Sequence, residues 1–218
     1  MESPLLNRRP IRARETAWAK AIAQRLLHVG VKPNQISILS VVCAAASGAC
    51  LVLGVTAGET FKAVLFITAA LFIQLRLLCN LFDGMIAVEG GLKSKSGEIY
   101  NELSDRLADS LILVCAGYSI TESQWGNMLG WAAGLLAIMT AYVRVLGVSA
   151  GASPYFCGPM AKQHRMALMT MACLIAAIET ILGWKDYVMP WTLGVINIGC
   201  IFTIARRTFL IIRELELK

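Results

Sequence analysis

Six blocks of mostly apolar residues follow one another through this chain, at about 36–55, 61–82, 99–120, 128–148, 166–184 and 188–212. A bilayer core about 30 Å thick takes about 20 residues of helix to cross, whereas a barrel strand needs only about ten. Inside lipid only helices and closed barrels satisfy their own backbone polar groups. Blocks of this length therefore predict an all-α polytopic membrane protein with six transmembrane helices. Composition agrees, since 57% of the 218 residues are hydrophobic and only 16% are charged, where a soluble domain carries about a quarter charged. The organisation expected is a single membrane domain over 1–218: a basic tail and juxtamembrane helix over 1–34, then the six-helix domain over 35–214.

The net charge of +6 would fit a polynucleotide partner if it formed one patch, but it does not. With the N-terminus placed inside, fifteen Lys and Arg fall on the cytoplasmic side (Arg8, Arg9, Arg12, Arg14, Lys20, Arg25, Lys32, Lys93, Lys95, Lys162, Arg165, Arg206, Arg207, Arg213 and Lys218) and two, Lys62 and Lys185, on the outer side. That asymmetry is the positive-inside pattern. It puts both termini in the cytoplasm and argues against nucleic acid as a partner. The first 35 residues are charged and lack a continuous apolar core, so no cleavable signal peptide is expected. Within them, Trp18, Ala21, Ile22, Leu26 and Leu27 share one helical face. This pattern predicts an amphipathic helix lying at the membrane interface with Trp18 as anchor, or else packed on the membrane domain. Six of the seven cysteines lie in apolar blocks and none forms a CxxC pair, so they read as small buried residues.

Against this apolar background the acidic residues stand out. Asn80, Asp83 and Ala87 lie at i, i+3 and i+7 near the end of the second block. Asn101, Asp105 and Asp109 lie at i, i+4 and i+8 where the third begins, with Glu98 one turn earlier. Ionisable groups inside a bilayer are expensive and mark functional sites. The polar connection at 89–96 makes the two helices antiparallel neighbours whose acidic stripes can face each other. Gly84 and Gly97 would let a ligand approach the backbone closely. Facing oxygen donors suit a hard cation, Mg²⁺ or Mn²⁺, rather than zinc. Such an ion can clamp a diphosphate, and a remaining carboxylate can serve as general base toward a hydroxyl. Glu102 and Arg106, at i and i+4, read as a local ion pair.

The segment resembles the signature of the CDP-alcohol phosphatidyltransferase family, D-x2-D-G-x2-A-R-x8-G-x3-D-x3-D. Asp83-Gly84, Ala87, Gly97 and Asp105 fall in register. The 33–37 segment Pro-Asn-Gln-Ile-Ser, the amphipathic N-terminal helix and the six spans are also similar. Three positions depart from the pattern: Asn80 and Asn101 stand where the family has Asp, and Val88 where it has Arg. The resemblance implies an inner-membrane enzyme of phospholipid synthesis that passes a phosphatidyl group from a CDP-linked lipid to a small alcohol acceptor and releases CMP. It implies metal ligands at Asp83, Asn80, Asn101 and Asp105, with Asp105 also the base. Nucleotide or diphosphate contacts are implied at Gly84, Ala87, Gly97 and Asp109, and the working assembly as a homodimer. The two amides remove two formal negative charges, which weakens divalent-metal binding, but Asp83 and Asp105 survive with both glycines.

Four further cations, Arg76, Arg144, Lys162 and Arg165, are candidates for binding phosphate groups of the donor or acceptor. Trp125, Trp131, Trp184 and Trp191 cluster near the outer boundaries as an aromatic belt. An ion- or proton-coupled transporter would also use buried Asp, Asn and Arg, but repeats and broken helices are not apparent. A polyprenyl transferase and a non-catalytic relative of the family are the other readings.

Overall fold

The computed structural model describes residues 16–92, 95–121 and 123–218. The four arginines at 8–14 and Lys93, counted above toward the cytoplasmic charge, lie outside the described residues. Seven α-helices account for most of the described chain: α1 (Ala17–His28), α2 (Pro33–Leu53), α3 (Glu59–Glu89), α4 (Lys95–Tyr118), α5 (Gly126–Ser149), α6 (Lys162–Ile181) and α7 (Val188–Glu216). The six predicted blocks correspond to α2 through α7. Five of these, α2, α3, α5, α6 and α7, are long and apolar enough to cross a membrane. The fourth helix is long enough, but its first two-thirds carry Glu98, Glu102, Asp105, Arg106 and Asp109.

Local chemistry sets the starts and crossings of these helices. Pro33 opens α2, where its missing N–H costs nothing, and the Gln35 side chain accepts the Lys32 backbone N–H at 2.9 Å. The helices close into a ring in which α2 is followed by α4, α5, α7, α6 and α3. The polar connection at 89–96 predicts α3 and α4 as direct neighbours; instead α2 packs between them, and they touch at few points. Small residues explain this position. Ala44, Ser47 and Gly48 of α2 are buried, and a Cβ on Gly48 would lie 2.7 Å from the Cys115 Sγ of α4. Likewise α4 and α5 cross at Gly117 and Gly130, each of whose added Cβ would meet the other's Cα at 2.7 Å.

Polarity runs inside out. The large apolar side chains Leu39, Val42, Leu71, Leu135, Ile198, Ile201 and Phe209 are exposed, while Arg76, Asp83, Asp105, Asp109, Arg165 and Arg207 are buried. Lipid as the surrounding solvent accounts for both halves of that distribution. Arg207, counted in the sequence as a cytoplasmic charge, is interior: its Nε donates to the Cys157 carbonyl at 2.9 Å and its Nη1 to that of Thr140. All four belt tryptophans are exposed. Helix α1 buries Ala19 and Ala23 beside Phe82, Met85 and Ile86 of α3, and Trp18 meets Phe82 edge to face at 6.3 Å. It is thus packed on the end of α3 that holds the acidic stripe, with Trp18 half exposed.

Candidate active site

Three helices and a loop bring the polar interior together. The last turns of α3 carry Arg76, Asn80 and Asp83 on one face, and the first turns of α4 carry Asn101, Asp105 and Asp109. From across the ring, the start of α6 supplies Lys162 and Arg165. The loop before α6 is held to α7 by its backbone: the Met160 N–H donates to the Thr203 Oγ1 at 3.0 Å. This turn runs through Gly158, whose φ of +121° L side chains rarely adopt and where a Cβ would sit 2.5 Å from Thr203. Glycine is required there on both counts.

Arg76, fully buried, donates through Nη2 to the Oδ1 of Asp109 at 2.6 Å. The same nitrogen lies 3.3 Å from the Asp105 Oδ1. Arg165 donates from Nη2 to the other oxygen of Asp109 at 2.8 Å. Its Nη1 reaches the Thr140 Oγ1 at 3.1 Å and the Met160 carbonyl at 2.9 Å. The Lys162 ammonium lies 2.5 Å from the Asp105 Oδ1. Buried charges survive only when paired and hydrogen-bonded, and Asp109 meets that condition with a guanidinium on each oxygen.

Asp83 is held differently. It is 2% exposed, and its Oδ2 accepts the Ser37 hydroxyl of α2 at 2.9 Å. Its Oδ1 is buried without a hydrogen-bond partner, as are both polar atoms of the Asn80 side chain. Two adjacent turns of α3 therefore present unsatisfied oxygens toward the interior, where an orphaned buried acceptor is costly unless a ligand meets it. Among the described residues, no three His, Cys, Asp or Glu side chains converge as a metal-holding group. With Asn80 and Asn101 in place of carboxylates, amide oxygens would have to complete any such set.

The sequence-derived candidates separate in space. Arg76, Lys162 and Arg165 meet Asp105 and Asp109. Arg144 does not: it donates to Glu102 at 2.7 Å and lies over the Phe156 ring at 5.1 Å. Glu102 also holds Arg106, the pair expected from their spacing. Gly84, Ala87 and Gly97 are half-buried and Val88 is exposed. Two contributors were not singled out in the sequence, Ser37 and Thr140. Ser37 lies in the 33–37 segment that carried part of the resemblance, but one hydroxyl at the start of a span gives no sign of its partner 46 residues on.

The family model of the CDP-alcohol phosphatidyltransferase matches residues 31–205. Among solved structures, this chain is similar to phosphatidylinositol phosphate synthase of Mycobacterium tuberculosis. With CDP-DAG bound, that enzyme gives a TM-score of 0.75 at 14% identity, over 90% of this chain and 94% of the other. In complex with manganese and citrate it gives 0.74 at 15% identity, over 88% of each chain. At so low an identity the likeness carries the fold alone. No curated protein matches this sequence.

Proposed function

This chain belongs to the CDP-alcohol phosphatidyltransferase family, and from that premise we propose that it transfers a phosphatidyl or related phospho-lipid group from a CDP-linked lipid, such as CDP-diacylglycerol, to an alcohol acceptor, releasing CMP in phospholipid synthesis. The observation that carries this reading is the presence together, within the matched region, of Asp83 and Asp105, with Asp105 paired to Arg76 and Lys162. A lipid donor is further supported by an apolar groove of about 250 Å³ between α2 and α4, lined by Ser37, Ile38, Val41, Tyr100, Leu103, Ser104 and Leu107. It opens beside Ser37, the residue that binds Asp83, and it suits an acyl chain.

In this reading Asp105 takes the proton of the acceptor hydroxyl as its oxygen attacks the lipid-linked phosphorus. A new P–O bond forms, the P–O bond to CMP breaks, and CMP departs with the bridging oxygen. Ser37 fixes the orientation of Asp83. Lys162 is partly exposed and Arg165 lies one turn further in, a pair suited to a phosphate on the acceptor.

The donors fit a hard divalent cation. The free oxygens of Asp83 and Asn80, with Asn101 and Asp105 on α4, are the residues that would hold Mg²⁺ or Mn²⁺, and similarity to a manganese complex supports one. When bound, such an ion neutralises the diphosphate as its charge redistributes. Gly84, Ala87 and Gly97 would line the nucleotide end. The positive-inside asymmetry supports six crossings in the inner membrane, with both termini and the site on the cytoplasmic side. A homodimer is the assembly that the family implies.

The test is CMP release by purified protein in liposomes, with CDP-diacylglycerol, Mg²⁺ or Mn²⁺ and a panel of free and phosphorylated alcohols, with and without EDTA. Acceptor-dependent CMP release is expected, reduced at least about 100-fold in Asp105→Asn. No release with any acceptor from folded protein would refute the transferase, and full activity of the variant would refute the base.

A further inference from the structure

Among the described residues, the buried carboxylates Asp83, Asp105 and Asp109 lie with the cations Arg76, Lys162 and Arg165, which form ion pairs with Asp105 and Asp109. The cations are unevenly shared. Asp109 takes a guanidinium on each oxygen, Asp105 takes Lys162 and Arg76 on one oxygen, and Asp83, in none of these ion pairs, accepts a hydrogen bond from the neutral Ser37 hydroxyl. The α4 side of the set is therefore occupied by protein cations, and the α3 side is not.

We propose that the Lys162 ammonium is a tethered cation of this cluster that competes with a divalent ion for Asp105, leaving Asp83 and Asn80 as the place where a single ion is held, and held weakly. The inference rests on the metal reading above and concerns what Lys162 does to it. A divalent ion that reached Asp105 would have to displace an ammonium 2.5 Å away or sit beside it against direct repulsion. In a partly desolvated site such repulsion is much stronger than in water. The two amides at 80 and 101 compound the effect, because neither supplies the negative charge that would pull the ion in. Lys162 is suited to this role. It is the second cation on Asp105 beside Arg76, it stands at the first position of α6, and it is partly exposed at the site's edge. Its long flexible stem lets the charge swing aside. Arg76 and Arg165, fixed by several hydrogen bonds each, cannot yield in the same way.

The experiment is Mn²⁺ binding followed by electron paramagnetic resonance, on full-length protein in detergent without substrates. It compares wild type, Lys162→Met, Lys162→Arg and Asp83→Asn. Wild type is expected to bind one ion per chain weakly. Lys162→Met should bind about tenfold tighter or better once the competing charge is gone. Lys162→Arg, which keeps the charge, should stay like wild type, and Asp83→Asn should lose the ion. Lys162→Gln replaces Lys162→Met if the latter is not monodisperse and cooperatively folding. Equal affinities in wild type and Lys162→Met, with loss in Asp83→Asn, would overturn the role of Lys162 and leave the metal site standing. Absence of bound Mn²⁺ in every variant would overturn both, while CMP release measured separately reports on the transferase itself.

Discussion

Asp109 illustrates how an acid is kept inside this bundle. Its two oxygens are taken by Arg76 and Arg165, themselves 0% and 3% exposed. Removing one member of such a set strands the others without solvent. Asp109→Ala is therefore expected to lower stability by about 3 kcal/mol or more, read as a drop in the unfolding transition in detergent. Glu102 also holds two arginines, but its side chain is 45% exposed, so Glu102→Gln should cost less than about 1 kcal/mol. Equal effects in the two variants would contradict the difference in burial. The acidic residues were legible in the sequence because their helical spacing is local. Their cations were less so, since Arg165 stands 56 positions from Asp109 and Arg76 stands 33. Arg144, a phosphate candidate from its depth in the span, pairs with Glu102, 42 residues away.

Helix length was set by the apolar blocks, but helix order around the ring was set by where backbones can approach. The α4–α5 crossing rests on Gly117 and Gly130, with no room for a methyl between them. In an isolated helix Gly→Ala gains about 1 kcal/mol. Here the added Cβ meets backbone, which cannot rotate away, so Gly130→Ala should instead destabilise by about 1–3 kcal/mol, measured by denaturant unfolding in mixed micelles. A stabilised variant would mean that the two helices separate readily. The placement of α2 between α3 and α4 has the same origin, in Ala44, Ser47 and Gly48. From sequence the stripe of small residues signals a packing face, yet it does not say which helix fills it. The acidic stripes of α3 and α4 consequently meet through Arg76 and across the ring to α6, rather than by direct helix contact.

At the scale of the molecule, the number of crossings fixes which ends share a side. Six crossings put Lys185 outside and Lys218 inside; five, with α4 not spanning, reverse both. In a Cys157→Ser background, Lys185→Cys is expected to react with an impermeant maleimide on intact cells, and Lys218→Cys only after permeabilisation. The opposite pattern would mean either that α4 does not cross or that the N-terminus lies outside. The sequence by itself determined the all-helical membrane class, the approximate span of every long helix and the two stripes of candidate ligands. These follow from bilayer thickness and from the 3.6-residue repeat, both of which act over neighbouring residues. Only the tertiary structure decided the ring order, the capture of Asp83 by Ser37, and the commitment of Asp105 and Asp109 to Lys162, Arg76 and Arg165. Those pairings depend on which backbones come close enough for buried charges to find counter-charges, and that is a property of packing among distant segments.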